Sequence, residues 1–297
     1  MNYDAGDIDL HVHSNQSSDG DFSPSLLIRL AKNKGLKALA ISDHDTVTAY
    51  PQAIAIGKEL GIEVIPSMEL TTLYDGREFH LLLPFLDWTK KIVRDIIDQV
   101  VKRRYREAKE RVKKLQNLGF QVTWSEVLRE SGDHPPLAVT IAQILLRKAE
   151  YNGDLRLRTY FEEQNRLYAP YLFYRDYFAE GKPAAVPRRN VSLLEVLQTV
   201  DRTGGVPVLA HPGASFQRVT KEDLSELKRA GLQGLEVYSS YHDSQMAKFF
   251  RGMAEEFDLV PTAGSDFHGR IKPKVELGSI ADGGYWMVEE LKKRRPG

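Results

Sequence analysis

Histidines and carboxylates recur along the chain in a pattern suited to holding metal ions. In the stretch "IDLHVH", which begins at Ile8, His11 and His13 lie two residues apart on a predicted strand. Side chains two residues apart on a strand point to the same face, so both imidazoles can reach one cation. The chain has no cysteine, so a metal ion would be held by histidine nitrogens and carboxylate oxygens. That ligand set suits Mn²⁺, Fe²⁺ or Zn²⁺.

Further histidines and two acids lie on or directly after other apolar runs. They are His44, Glu69, His80, His211, Asp266 and His268. A single histidine beside a strand is more often structural, and H-x-H alone is a weak signal. The carboxyl ends of parallel strands meet at one face of a barrel, so the whole set is expected to converge there. Burying so many polar groups together is costly unless cations lie among them, which predicts a metal centre.

The elements that must position these residues are short apolar runs alternating with helix-like segments. Seven runs predict strands, in two blocks that span Asp7–Phe85 and Val206–His268. Segments between them, such as "SPSLLIRLAKNKG", begin with a serine or threonine cap and end at glycine. This alternation predicts a parallel sheet covered by helices, and seven strands favour a closed or nearly closed barrel.

The middle of the chain has a different pattern. Between Ile92 and Leu118, apolar side chains recur at steps of three to five residues, which predicts a long amphipathic helix. Further helical segments follow around Pro136–Ala149 and Leu155–Glu180. We therefore predict a barrel domain formed by residues 1–87 and 190–297, with residues 88–189 as a helical insertion domain.

Charge and composition argue against several other classes of protein. The 41 basic side chains balance 41 acidic ones, so net charge gives no reason to expect a nucleic-acid or membrane partner. There is no signal-peptide pattern, and no apolar run approaches the ~20 residues of a membrane span. We expect a cytoplasmic protein with no obligatory protein partner. The basic segment Lys102–Lys114 either follows an RNA backbone or forms a solvated helix face, and solvated faces are commoner.

Six stretches resemble, in order, the successive motifs of the PHP (polymerase and histidinol phosphatase) superfamily. They read "DLHVHSNQSSDGDFSP", "ALAISDHDTVTAY", "IPSMELT", "FHLLL", "VLAHPG" and "TAGSDFHG". More narrowly, the chain looks like the branch of stand-alone phosphoesterases of this superfamily, which includes nucleoside 3′,5′-bisphosphate phosphatases and 5′→3′ exoribonucleases acting on short RNA. The resemblance implies an α/β fold, a distorted (β/α)7 barrel of the PHP type with an inserted helical domain.

The resemblance also implies two to three divalent ions and their ligands. One ion would be held by His11, His13, Glu69 and Asp266, a second by Glu69, His80 and His211, and a third by Asp19, His44 and His268. On local sequence alone, Asp19 reads as a turn residue before Gly20. Asp43 and Asp45 flank His44, and one of them is expected either to orient a ligand imidazole or to cap the following helix.

Several cations close together predict phosphate ester hydrolysis through a metal-bound hydroxide. Asp266 is the candidate for holding this nucleophile and accepting its proton. His242, in "EVYSSYHDS", matches a position where members of this branch often carry histidine. It is therefore the candidate for protonating the leaving group. The alternative for His242 is a surface residue at the start of a helix.

The predicted substrate is a small phosphorylated molecule or a short nucleotide, including short RNA. Relatives commonly carry an Arg-x-His element that opens a helix in the insertion, and its arginine is expected to bind substrate phosphate. Ala138 and Thr140 occupy those places here. Arg188, Arg189 and His134 are the predicted substrate contacts instead.

Three alternative functions stay open beside this one. The first is a histidinol-phosphate-type or other small-molecule phosphatase. The second is an amidohydrolase-like C–N hydrolase, whose barrel uses a similar H-x-H strand, although the "SDHD" and "SDFHG" stretches speak against it. The third is a catalytically silent PHP module used for binding, which would be expected to have lost predicted ligands.

Overall fold

The computed structural model describes residues 6–187, 189–214 and 219–297. The chain divides into two compact units. The first unit contains the chain up to Asp98 and from Asn190 onward, and the second is Gln99–Arg189. All the strands of the described residues lie in the first unit, so this unit must position any site at the strand ends.

The described residues form nine strands in two sheets. The strands are β1 (Ile8–Val12), β2 (Ala38–Ile41), β3 (Glu63–Pro66), β4 (Glu69–Tyr74), β5 (Arg77–Leu82), β6 (Val191–Ser192), β7 (Val208–Leu209), β8 (Gly234–Ser239) and β9 (Val260–Gly264). The first sheet is parallel with the order β1-β2-β3. The second has the order β6-β4-β5-β7-β8-β9, and β5 runs antiparallel to both β4 and β7.

The structure differs from the predicted parallel sheet at β4 and β5. The predicted single strand "IEVIPSME" is divided between β3 and the start of β4, and β4 and β5 form an antiparallel hairpin. Asp75 and Gly76 connect them with φ values of 47° and 71°. Asp-Gly with both residues at positive φ is the sequence preferred in two-residue hairpin turns, because its twist matches that of the strands. The prediction of a wholly parallel sheet was therefore wrong here, although "DG" was the signal for this turn.

Eleven α-helices are present in the described residues. They are α1 (Pro24–Asn33), α2 (Tyr50–Leu60), α3 (Lys91–Asn117), α4 (Trp124–Ser131), α5 (Ala138–Asn152), α6 (Glu163–Arg166), α7 (Ala169–Phe173), α8 (Leu193–Thr199), α9 (Lys221–Ala230), α10 (Ser244–Glu256) and α11 (Trp286–Lys293). Short 3₁₀ helices occur at Leu155–Phe161, Val200–Thr203 and Gly269–Ile271, and a π-helical turn at Tyr174–Phe178. Within the described ranges, none of the helices has the length and apolarity needed to cross a membrane.

Helix ends in the first unit follow the predicted capping chemistry. The Ser23 side chain accepts a hydrogen bond from the Leu26 N–H at the start of α1. Thr220 and Asp223 form a reciprocal capping box at the start of α9. Such caps satisfy backbone N–H groups that lack a partner within the helix, so they fix where each helix begins.

The core of the first unit lies on both sides of its strands. Every residue of β1 is buried, as is usual for strands covered on both faces. Ile8 and Leu10 pack in one apolar cluster with Leu291 of α11, whereas Val12 packs in another with Leu27 of α1. The strands are thus fixed by apolar contacts, and the polar side chains at their ends are held in a buried environment.

The second unit has an apolar core of its own. Its members come from α3, α5, α7 and the segments around them, and include Val112, Leu115, Ile141, Leu145 and Phe173. Helix α3 confirms the predicted long amphipathic helix, and the basic segment Lys102–Lys114 lies within it.

We predict that Tyr50→Phe lowers the free energy of unfolding by about 1–3 kcal/mol, the usual cost of an unpaired buried group. The Tyr50 hydroxyl is buried at the start of α2, where it accepts a hydrogen bond from the Ser67 N–H at 2.6 Å and contacts the Ile41 carbonyl. Phenylalanine would leave the Ser67 N–H, two residues before Glu69, without this acceptor. Denaturant unfolding measures the change. Tyr151→Phe is the control, since Tyr151 is 88% exposed, and equal stability of the two variants would contradict the prediction.

Candidate metal centre

The structure brings all nine predicted metal ligands together in the first unit. His11 lies on β1, His13 and Asp19 follow it, His44 follows β2, Glu69 begins β4, His80 lies on β5, His211 follows β7, and Asp266 and His268 follow β9. The side chains are deeply buried, with the largest exposures at Asp19 (24%), His80 (13%) and His44 (12%). The predicted convergence is therefore present in space, and the ligand roles themselves stay a prediction.

Backbone contacts between strand ends hold this cluster. The segment at His44 pairs with Glu69, and the Asp266 N–H donates to the His11 carbonyl at 2.8 Å. His211 and Asp266 have φ values of 24° and 56°. Positive φ is uncommon for residues other than glycine, and it persists where surrounding contacts over-determine the conformation, as at functional sites.

Glu69 is at the centre of the cluster. Its Oε2 lies 3.1 Å from His11 Nε2, 3.1 Å from His13 Nε2 and 3.2 Å from His44 Nδ1. Its Oε1 lies 2.8 Å from His80 Nδ1 and 3.1 Å from His211 Nε2. One fully buried carboxylate therefore faces five imidazoles, an arrangement that lets it serve more than one cation.

The possible ligand atoms form three overlapping groups. These are His11, His13, Glu69 and Asp266; His13, Asp19, His44 and His268; and His44, Glu69 and His80. Within each group the ligand atoms all lie within 4.8 Å of one another. The first group is the one that the resemblance implied for one ion. The second contains the implied set for another ion, together with His13.

Unpaired buried atoms show that these residues fit metal cations. Glu69 Oε2 and Asp266 Oδ1 are buried without a hydrogen bond of good geometry. His11 Nε2 and His13 Nε2 face each other at 3.2 Å. Ring nitrogens and carboxylate oxygens that converge in this way repel one another unless a proton or a cation lies among them. Divalent cations that accept nitrogen and oxygen ligands meet this requirement.

The electrostatics of the chain without cations lead to the same conclusion. Burial disfavours the charged form of His13, but hydrogen bonds to Asp266 and Glu69 outweigh it and raise the pKa of His13 to about 9. Burial likewise opposes the charge on His80, and Glu69 raises its pKa to about 10. Burial lowers the pKa of His44 to about 3. Protons on some imidazoles thus balance the carboxylates, and a bound cation would take their place.

Glu236 is an outer residue of the centre that the sequence analysis did not single out. It is fully buried on β8, with Oε1 3.0 Å from His11 Nδ1, and its Oε2 accepts the His211 N–H at 2.7 Å. A Cβ atom at Gly264 would lie only 2.4 Å from this Oε1, so glycine leaves the room that the carboxylate occupies. A carboxylate behind a histidine fixes the orientation and tautomer of a metal ligand. The available signal was an acid inside the apolar run "GLEVYS".

Three other aspartates hold the backbone around the centre. Asp9 accepts the Ser265 N–H at 2.9 Å and the Ser265 hydroxyl at 2.6 Å, directly before Asp266. Asp43 accepts the Ser14 N–H at 2.6 Å and its hydroxyl at 2.7 Å, directly after His13. Asp45 accepts the Thr71 N–H at 3.2 Å. The expected helix cap at Asp43 or Asp45 was wrong, because the N-cap of α2 is Ala49.

His242, the predicted proton donor, has both ring nitrogens engaged by backbone groups. Its Nε2 accepts the Gly213 N–H at 2.9 Å, so Nδ1 carries the proton and donates it to the Val237 carbonyl at 2.8 Å. The ring also stacks on Phe250, with centroids 4.9 Å apart. These contacts tie the turn after His211 to β8, and they favour a positioning role over proton donation.

None of the predicted substrate contacts lies among the described residues of the first unit. Arg188 lies outside the described residues. In the second unit, Arg189 Nη1 donates to Glu110 Oε2 at 2.9 Å, and the His134 N–H donates to the Ser131 carbonyl at 3.1 Å. Their roles in substrate binding stay a prediction.

Comparisons with known proteins decide the class of this centre. A PHP domain model matches residues 9–117, which include β1 to β5. The chain is 26% identical over 262 residues to a 5′-3′ exoribonuclease of Haemophilus influenzae, covering 88% of this chain and 89% of the relative. It is 26% identical over 277 residues to a 3′,5′-nucleoside bisphosphate phosphatase of Chromobacterium violaceum, covering 93% and 92%.

A crystal structure of a Bifidobacterium adolescentis protein assigned as a metal-dependent phosphoesterase matches with a TM-score of 0.81 and 26% identity. The match covers 98% of this chain and 97% of that one. Residues 9–117 match a PHP domain, and the chain is a phosphoesterase. The predicted superfamily and the predicted enzyme class are thereby confirmed, and the buried cluster is the candidate metal centre of this PHP-domain enzyme.

We predict that Mn²⁺ stabilises the chelator-treated protein. A cation that binds the folded chain at 100 times its dissociation constant adds about 2.7 kcal/mol per site to the free energy of unfolding. Thermal unfolding with and without Mn²⁺ measures this. Mg²⁺ is the comparison ion, because it prefers oxygen ligands and a nitrogen-rich centre should favour it less. A melting temperature insensitive to Mn²⁺ would contradict the assignment of the cluster.

We predict that Glu236→Gln weakens Mn²⁺ binding by about 10–100-fold, the usual effect of losing an outer-shell partner. A glutamine has one side-chain oxygen, so it cannot accept from both His11 Nδ1 and the His211 N–H. Calorimetric titration of the metal-free protein gives the affinity. Glu222→Gln, at an exposed position on α9, serves as the control. Equal affinities for the two variants would show that Glu236 does not orient the ligands.

Proposed function

We propose that this PHP-domain enzyme hydrolyses terminal phosphate esters of nucleotides, such as a nucleoside 3′,5′-bisphosphate or a short 5′-phosphorylated RNA. Two to three divalent ions (Mn²⁺, Fe²⁺ or Zn²⁺) would be held by the nine clustered residues. The observation that carries the proposal is Glu69, a buried carboxylate within 3.2 Å of ring nitrogens from five histidines. Divalent cations would stabilise such a cluster and would also let it attract phosphate, which protons on the imidazoles alone would do less well.

We also propose that the strands of the first unit close into the distorted seven-stranded barrel, with the second unit as its insertion domain. Two bridges support closure. Val12, at the end of β1, pairs with Phe267 after β9, and His44, after β2, pairs with Glu69 at the start of β4. A ring of this kind brings the ends of strands from both sheets to one place, as the cluster requires.

The cations, Glu69 and Asp266 would have different roles in the proposed reaction. Bound cations would neutralise phosphoryl oxygens and activate water for attack on phosphorus. Glu69 would be shared between cations. Burial opposes ionisation of Asp266, yet His11 and Lys272 hold the pKa of this carboxyl well below its usual range. Asp266 therefore stays ionised, as a metal ligand must, and its proposed role is to hold the nucleophile and accept its proton.

The choice of nucleotide substrates is supported by the relatives. The exoribonuclease and the bisphosphate phosphatase both act, by their names, on nucleotide phosphates, and each aligns over most of its length. Identity of 26% makes the reaction class a stronger inference than the individual substrate.

We predict that the Mn²⁺-loaded protein releases phosphate or nucleotide from adenosine 3′,5′-bisphosphate or from a 5′-phosphorylated trinucleotide. Asp266→Asn should reduce this activity by more than about 100-fold, since loss of a direct ligand exceeds the ~10–100-fold effect of an outer-shell change. Asparagine is chosen because it tolerates the positive φ of residue 266, so the fold should be retained. Product release is followed by chromatography beside a circular dichroism spectrum of each protein.

Three results would separate the alternatives. Activity on either nucleotide that is lost in Asp266→Asn supports the proposal. Hydrolysis of an aryl phosphate but of neither nucleotide would move the enzyme to another small phosphate ester. Inactivity on all three substrates, with bound metal confirmed, would favour a PHP module used for binding.

A further inference from the structure

Lys272 and Tyr241 form a polar pair beside the candidate metal centre. Lys272 follows the short helix Gly269–Ile271 after β9, and Tyr241 lies in the turn after β8. Lys272 Nζ donates to the Tyr241 hydroxyl at 2.9 Å and lies 5.1 Å from the centre of its ring. The Tyr241 ring is itself 5.0 Å from the ring of His211. The hydroxyl and the ring face thus hold the ammonium in place from one side.

Asp266 connects this pair to the candidate ligands. Its Oδ1 lies 3.1 Å from His13 Nε2 and 3.4 Å from His11 Nε2, whereas its Oδ2 accepts a hydrogen bond from Lys272 Nζ. The Asp266 carboxylate therefore lies between the Lys272 ammonium and the histidine nitrogens that would hold a cation.

The pair also reaches solvent beside two candidate ligands that do not, Asp266 and His211. The Asp266 and His211 side chains are each 2% exposed, but Lys272 is 26% exposed and Tyr241 is 37% exposed. A molecule that approaches this edge of the cluster meets the ammonium and the phenol before it meets the buried ligands.

Charge balance gives the pair a role beyond packing. The carboxylates of Asp19, Glu69 and Asp266, with that of Glu236 behind His11, carry four negative charges, which two divalent cations would balance. Lys272 adds another positive charge, and like charges a few ångströms apart repel strongly in a site that excludes water. An anion that lies between the ammonium and the cations relieves this repulsion, and a dianion relieves it more than a monoanion.

We propose that Lys272, held by Tyr241, binds a non-bridging oxygen of the substrate phosphate and gives the enzyme its preference for dianionic phosphate monoesters over monoanionic diesters. This inference rests on the proposed phosphoesterase function. It assigns a part of substrate recognition to the first unit itself, through a loop after β9. Lysine suits this task because its ammonium is a compact point charge with three donors.

The test compares Mn²⁺-loaded wild-type protein with Lys272→Met, Lys272→Arg and Lys274→Met. Lys274 is an exposed lysine of the same loop, so Lys274→Met controls for a general change of surface charge. Binding of inorganic phosphate is measured by calorimetry, and bound manganese by elemental analysis. KM is measured for p-nitrophenyl phosphate, a dianion, and for bis(p-nitrophenyl) phosphate, a monoanion.

Lys272→Met should weaken phosphate binding and raise KM for the dianion by about 10-fold or more, as expected for one hydrogen bond to a charged group. KM for the monoanion should change much less, and bound manganese should be unchanged. Lys272→Arg should restore most of the phosphate affinity. Tyr241→Phe, which keeps the ring but not the hydroxyl, should give a smaller loss in the same direction.

Equal phosphate affinity in wild type and Lys272→Met would overturn the inference, whatever the turnover. So would a loss of bound manganese with equal effects on both esters, because Lys272 would then act only on the ligand Asp266. A wild-type protein that binds phosphate through Lys272 but hydrolyses no ester would refute the proposed function and, with it, the ester preference, while the assignment of Lys272 as a phosphate-binding residue would stand. The two proposals therefore fail in distinguishable ways.

Discussion

The buried carboxylate of Glu69 is the group on which the rest of the structure depends. A negative charge without solvent is costly, and five imidazoles that point their nitrogens at it supply balance only if protons or cations accompany them. Strand ends from both sheets must meet to bring these rings together. Left-handed backbone at His211 and Asp266 persists because that meeting fixes it.

Around this centre, carboxylates outside the predicted ligand set accept hydrogen bonds from backbone N–H groups. Glu236, Asp9 and Asp43 are buried, and each accepts hydrogen bonds from N–H groups next to a candidate ligand. His242 also holds backbone, because its two ring nitrogens bind the Gly213 N–H, in the turn that follows His211, and the Val237 carbonyl. Contacts of this kind hold the candidate ligands in place before ions or substrate bind, which is the preorganisation that a catalytic site needs.

Reaction class and substrate choice are carried by different parts of the molecule. In the proposed function the buried cluster hydrolyses phosphate esters, and the relatives are named for different phosphate substrates. A fold does not by itself select a substrate, so we assign selection to groups at the exposed edge. Lys272 and Tyr241 are the groups that we propose, since they contact the buried cluster through Asp266 and still reach solvent.

The sequence by itself was sufficient to predict the superfamily, the enzyme class and the residues that cluster, because they lie in short local motifs such as "DLHVH" and "SDFHG". The spacing of apolar residues was likewise sufficient to predict the long helix α3. The division of "IEVIPSME" into two strands, the partners of Glu236 and His242, and the contact of Lys272 with Asp266 were decided by tertiary structure. Such contacts join residues far apart in the chain or depend on how strand ends are paired, so no local pattern of residue types records them.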